Sequence, residues 1–328
     1  MYGNVWDSYF FELPYKPERT IMPEEDLPER NSEELQKETE ISPEQNHLPT
    51  STQYLKSFKD VSEAHDADIL YFCGDIEKDY ADELIAVCRD SQHRNVLFFL
   101  TTLGGDPDAA YRIARFLQET YEKFTIYIDT LCKSAGTLIT LGADKIIMSD
   151  TAELGPLDVQ ILKTDELNQR NSVLDLMIAF DYLQSFSLDT LEETIMRLVE
   201  NSEGQISTKS ALEVASHVAT DLFAPIYAQI NPTTLGSNQR SVQIARKYGE
   251  RLNRGNLQAD ALDLLVIGYP SHSFVIDRQE ARKKLFEFVQ DASKTEETLA
   301  KYLRQRYELQ EEQTVVINLT QKVITDST

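Results

Sequence analysis

An α/β protein with a mostly parallel sheet is the fold this chain predicts, and two observations predict it. From Ile69 to Met148, short apolar runs of strand length alternate with stretches of helical apolar spacing. Each apolar run then leaves into a turn, and three of these turns contain glycine. Strands alternating with helices in this way mean βαβ units and parallel pairing. An apolar content of 41% over 328 residues is enough to build the core of one large or two small domains.

Taken in order, residues 1 to about 60 are rich in Glu and Pro, with Pro14, Pro17, Pro23, Pro28, Pro43 and Pro49 spread through them. Such a stretch predicts an extended or disordered arm. Its aromatic start, Trp6, Tyr9, Phe10 and Phe11, is suited to docking on the chain's own body or on a neighbouring subunit. Residues 61–164 form the predicted core. Ile69–Cys73 reads as a buried strand and Tyr80–Cys88 as a helix. A strand at Val96–Leu100 precedes a helix with Ala110, Ile113, Ala114 and Leu117 on one face. Then come a strand at Phe124–Ile128, a short helix from Ser134 and a strand at Lys145–Met148.

Residues 165–265 change to helical spacing, with Leu174, Met177, Ile178 and Leu183, then Leu191, Ile195 and Leu198. Leu212, Val214, Ala215, Val218, Leu222 and Ile226 follow, and Gly204, Gly236 and Gly255 punctuate the segment. The expectation is an inserted helical subdomain, acting as a lid or an oligomer contact, with these stripes as its core. Residues 266–328 return to the core: a strand at Val275–Ile276, a helix from Gln279 to about Gln290, and a charged helix over Thr295–Gln313. Thr314–Leu319 is an edge strand or a loose end.

Charge excludes some functions. With 55 acidic against 32 basic residues, the net charge is −23. A general phosphate-binding surface needs clustered Lys and Arg, so no nucleic-acid partner is expected. Three cysteines, Cys73, Cys88 and Cys132, have no CxxC spacing and read as buried, reduced thiols. The start lacks a basic, then apolar signal sequence, and no apolar run is long enough to span a bilayer. A cytoplasmic protein without a membrane partner is expected. No spacing points to a metal site and none to a cofactor. The absence of a GxxxxGK[ST] loop means that any unfolding motor would be a separate chain.

The chemistry gathers at three strand ends. They are Thr101-Thr102-Leu103-Gly104-Gly105, Lys133-Ser134-Ala135-Gly136-Thr137-Leu138 and Glu153-Leu154-Gly155-Pro156-Leu157-Asp158. A serine and glycine turns at one sheet edge are the parts of an acyl-transfer site: a nucleophile, and N–H groups for an oxyanion. Alone, Ser134 is equally read as a helix N-cap. In this order the three motifs resemble the Clp/crotonase superfamily, and within it the serine dehydrogenase proteinase branch, related to signal peptide peptidase A and the stomatin-operon serine proteases. The resemblance resumes at Ser271-His272-Ser273-Phe274-Val275-Ile276-Asp277-Arg278-Gln279-Glu280-Ala281.

That resemblance implies a spiral of βαβ units, assembly into homo-oligomers, and peptide-bond cleavage through an acyl-enzyme at Ser134. It implies backbone oxyanion donors at Gly105 and Ala135, with Gly104 and Asp158 in support. The general base departs from the family pattern. The turn Leu154–Asp158 lacks the Clp-type histidine, and in Ser172-Val173-Leu174-Asp175 an aspartate stands where the nearer branch has lysine. A carboxylate is a poor base for serine at neutral pH. His272 titrates in the useful range and is the candidate base, beside its reading as a structural turn residue. Lys163 reads as a surface lysine, and the remaining histidines as structural. Two other functions stand beside the peptidase: a catalytically silent scaffold or partner-binding protein, and a crotonase-like enzyme acting on an acyl thioester.

Overall fold

The computed structural model describes residues 51–89, 91–157, 160–162, 170–203, 205–307 and 314–326. All of them belong to one compact unit, Leu48–Thr328. The elements run α1 (Ser51–His65), β1 (Ala67–Cys73), α2 (Lys78–Val87), β2 (Asn95–Thr101), α3 (Pro107–Thr120), β3 (Lys123–Ile128), β4 (Leu131–Cys132), α4 (Ala135–Leu141), β5 (Lys145–Met148) and β6 (Glu153–Leu154). A hairpin, β7 (Gln160–Leu162) and β8 (Arg170–Ser172), leads into α5 (Val173–Asn201), α6 (Thr208–Tyr227) and α7 (Pro232–Leu252). After α8 (Ala261–Asp263) and a π turn at Leu264–Gly268 come β9 (Ile276–Asp277), α9 (Arg278–Glu280), a second π turn at Ala281–Leu285 and β10 (Val289–Asp291). The described chain closes with α10 (Lys294–Tyr307), β11 (Val315–Asn318) and α11 (Leu319–Asp326).

Six strands form the main sheet in the order β10-β5-β3-β2-β1-β11, and only β11 is antiparallel. The α/β class with a parallel-dominated sheet is therefore the one found. The strands read as unbroken apolar runs because both faces are covered. In β1, Leu70 and Phe72 face one core with Phe98, Ile113, Leu117, Phe124 and Leu138. Ile69 and Tyr71 face the other, with Phe58, Val61, Leu97, Phe99, Leu299 and Leu303. The period of two along the strand sends alternate residues to opposite sides. Helices α2, α3 and α4 contribute to the first core, and α1 and α10 cover the second.

Several boundaries differ from the sequence reading. Helix α1 begins at Ser51, inside the segment read as an arm, because Phe58 and Val61 are buried against the sheet. The helix read from Gln279 to Gln290 stops at the π turn ending at Leu285. Phe286 turns extended, and Val289–Asp291 pairs parallel with Ile146–Met148. A β hairpin, β7 and β8, straddles the start of the 165–265 segment and precedes its three long helices. Its stripes are not all core: Ala211, Ala215 and Phe223 are buried, whereas Val214, Val218, Leu222 and Ile226 are exposed. Adjacent i±4 rows of a helix point in different directions, and only the first of these two rows is buried. Residues 1–50, with His47, and Asp158 and Lys163 lie outside the described residues.

Candidate active site at the Ser134 turn

A second, small sheet positions the serine. Its order is β4-β6-β9, with β4 parallel to β6 and β9 antiparallel to β6. Strand β4 also meets the end of β2: the Thr102 N–H donates to the Leu131 carbonyl at 2.9 Å, and the Lys133 N–H to the Thr102 carbonyl at 3.0 Å. After Lys133, Ser134 turns this strand into α4. Its backbone lies at φ 49°, ψ −112°, a region that costs a side-chain-bearing residue of order 1–3 kcal/mol. Its hydroxyl does not cap the helix and has no hydrogen-bond partner among the described residues. The capping reading of Ser134 is therefore not what the turn uses it for.

The Gly104–Gly105 turn packs directly on this serine. A Cβ added at Gly104 (φ 122°) would lie 2.9 Å from the Ser134 Cβ and 3.4 Å from the Ala135 nitrogen. Gly105 (φ 141°) is pressed against the backbone of Ile76, where any Cβ would collide with the Ile76 carbonyl oxygen. Ile76 donates to the Gly104 carbonyl at 2.8 Å and accepts from Asp106 at 2.7 Å. That bonding leaves the intervening Gly105 N–H over. Among the described residues neither this N–H nor that of Ala135 has an acceptor. Ala135 is the first residue of α4, where N–H groups lack intrahelical partners and favour negative charge. Beside the glycines lies a cleft of about 370 Å³ lined by Asp75–Lys78 and Leu103–Asp106.

Lys133, which the sequence reading passed over, anchors the turn. Its ammonium, 12% exposed, donates to Glu153 Oε2 at 2.8 Å and to the Leu154 carbonyl at 3.1 Å. The only sequence signal was its position next to the serine. Thr137, one turn into α4, donates to the carbonyls of Cys132 and Gly155 at 3.1 and 2.7 Å. Together these bonds fix β4, α4 and the Leu154–Gly155 turn as one block. Cys132 is buried, and burial pushes its thiol up to about 12, so it packs rather than reacts.

His272 lies in the turn before β9. Leu154 pairs with both Cys132 and Ile276, and β9 runs antiparallel. The residues preceding β9 therefore lie at the same end of the small sheet as Ser134 and Gly155. His65 and His93 are engaged elsewhere, with Glu296 and Asp66. His217 sits on α6 and is exposed. Among the described residues no group of three His, Cys, Asp or Glu could hold a metal ion. No helix among them is long and apolar enough to cross a membrane.

The sequence model of the NfeD1b N-terminal domain family matches residues 75–171, a span that carries all three motifs. Two uncharacterized proteins of Methanocaldococcus jannaschii are similar. MJ0137 is 25% identical over 145 residues, 42% of this chain and 51% of that protein. MJ1495 is 36% identical over 133 residues, 38% of this chain and 44% of that protein. The chain thus spans about half the length of the curated relatives it matches. Among solved structures, a mutant of ClpP1 from Listeria monocytogenes is 17% identical with a TM-score of 0.26, covering 29% of this chain and 58% of that one. A mutant of the 1510-N membrane-bound stomatin-specific protease, in complex with a substrate peptide, is 23% identical with a TM-score of 0.28, covering 38% and 61%.

Proposed function

We propose that this chain is a serine peptidase of the serine dehydrogenase proteinase type, cleaving peptide bonds through an acyl-enzyme at Ser134. The observation that carries the proposal is the strained Ser134 backbone, with a hydroxyl held out of the helix cap beside two unused N–H groups. A serine on a strained strand-to-helix turn is how a nucleophile is presented at a sheet edge, and strain of this kind concentrates at functional sites. A structural serine gains nothing from φ 49° that glycine would not supply without strain.

In the proposed reaction an extended peptide lies along the Gly104–Gly105 edge, with one flank in the adjoining cleft. Ser134 Oγ attacks the scissile carbonyl carbon as its proton passes to the base, for which His272 is the proposed residue. The Gly105 and Ala135 N–H groups stabilise the oxyanion, each donor being worth ~100- to 1000-fold in rate. The tetrahedral centre collapses, the C–N bond breaks, and the amine leaves with the proton from the base. Water then hydrolyses the ester, and Ser134 regains its proton. Asp158 is proposed to support the base. The proposed setting is cytoplasmic, in a homo-oligomer, with any unfolding motor on a separate chain and no cofactor.

The test is the intact mass of the full chain after treatment with a fluorophosphonate probe. One adduct on the wild type, none on Ser134→Ala and strongly slowed labelling of His272→Ala are expected. A folded wild type that takes no adduct would refute the activated nucleophile and favour the silent scaffold. Labelling of wild type and His272→Ala at equal rates would remove His272 as the base.

A further inference from the structure

In the second core, under α10, one polar group is left over. Tyr127 of β3 is fully buried beside Phe99, with ring centres 4.5 Å apart. Its Oη has no hydrogen-bond partner among the described residues. Burial pushes the phenol far up, so it stays neutral and brings both a donor and an acceptor. Buried polar atoms are nearly always paired, because an unmatched one keeps the full cost of leaving water. Two residues on, Asp129, with its side chain 16% exposed, accepts from Arg304 Nη1 of α10 at 2.7 Å. Burial pushes this carboxyl up, while the Arg304 charge and the Tyr127 phenol pull the other way. The phenol therefore lies beside the carboxylate without closing a bond of proper geometry on it.

A cavity of about 10 Å³ adjoins these groups, and Tyr71, Thr101, Tyr127, Asp129, Ala300 and Arg304 are among its lining residues. We infer that this cavity is a binding site for one water molecule, which bridges Tyr127 Oη to the Asp129–Arg304 pair. A water needs roughly 10–15 Å³ and roughly two to four polar partners. The phenol, the carboxylate and the guanidinium supply three. Size excludes an organic ligand, since a cavity that takes benzene measures ~150 Å³. Charge selects a neutral occupant, because Arg304 repels a cation and Asp129 an anion. A bridging water is nearly as favourable in enthalpy as a direct hydrogen bond. The Asp129 carbonyl also accepts from the Ser149 and Thr151 hydroxyls. The water thus adds the Tyr127 phenol to a joint that fastens α10 to the end of β3, two residues before β4 starts toward Ser134.

The test is a high-resolution crystal structure of the full chain, together with urea melts of Tyr127→Phe. One ordered water is expected in the cavity, within about 3.2 Å of Tyr127 Oη and of an Asp129 oxygen or an Arg304 nitrogen. Tyr127→Phe keeps the ring and deletes only the hydroxyl, so the bridge loses one bond. The urea midpoint of the variant is expected about 0.3 M below that of the wild type. A cavity without ordered water, or a phenol swung directly onto Asp129, overturns the inference. So does a variant whose midpoint is unchanged or raised, because deleting an orphaned hydroxyl removes its burial cost. Neither readout depends on peptidase activity, so this inference and the proposed function fail separately.

Discussion

At Ser134 the cost of the site can be measured without a substrate. With φ 49° and ψ −112°, relief of strain on replacement by glycine is worth ~1–3 kcal/mol, offset by ~0.5–1 kcal/mol of added unfolded-state entropy. Ser134→Gly is therefore expected to stabilise the chain by about 1 kcal/mol while abolishing probe labelling. Ser134→Ala keeps the Cβ, and so should abolish labelling with stability unchanged within about 0.5 kcal/mol. Urea melts of the two variants decide: a destabilised glycine variant would mean that the backbone is not strained. At Gly104 the sign reverses. Alanine there meets both a positive φ and the Ser134 Cβ, and should cost about 2 kcal/mol and slow labelling. The meeting of these two turns was legible in the sequence, because glycine pairs and a serine after apolar strands leave few ways to close the backbone. The strain was not, since no residue type announces a positive φ at serine. Lys133 was missed because its partner Glu153 arrives from a strand 20 residues on, and only the parallel pairing of β4 and β6 unites them.

Between elements, α1 is fastened to α10 by one buried polar contact and a ring stack. Tyr54 stacks on Tyr302 at 4.1 Å. The ring of His65 meets Glu296 at 2.7 Å, and Glu296, 6% exposed, also accepts from the Ser293 N–H at 2.6 Å. Burial pushes the Glu296 carboxyl up, but the bonds from His65 and Ser293 outweigh it and hold the group below its ordinary 4.5. A carboxyl held low in the folded state stabilises above its unfolded pKa, and the contribution fades as pH falls through the lower folded value. The stability gap between wild type and Glu296→Gln is thus expected to narrow below pH 4.5, as followed by dilute urea melts between about pH 6 and about pH 4. A gap that widens on acidification would show the contact to be unfavourable. Such contacts also mark the limit of the sequence reading. Strands β1, β2, β3 and β5 and helices α2 and α3 were legible because their local periods were unambiguous. Strand β10 was not, since Val289–Asp291 follows the helix-like run Arg282-Lys283-Lys284 and is called into the sheet only by β5. The outer row of α6 has the same spacing as a buried one, and spacing alone says nothing of which row finds a partner.

Over the whole molecule, net charge is a larger electrostatic fact than any ion pair. Pairs such as Arg94–Glu122, with side chains 79 and 67% exposed, are worth ~0–1 kcal/mol each and are screened by salt. The excess of 55 acidic over 32 basic residues acts in the opposite sense, as self-repulsion that the compact state must bear and that salt relieves. Going from about 0.05 to about 0.5 M NaCl shortens the screening length from roughly 14 Å to roughly 4 Å, which removes most of this repulsion but little of the apolar burial in the two cores. The thermal midpoint of the full chain is therefore expected to rise over that interval. A midpoint that falls with salt would mean that the surface ion pairs outweigh self-repulsion.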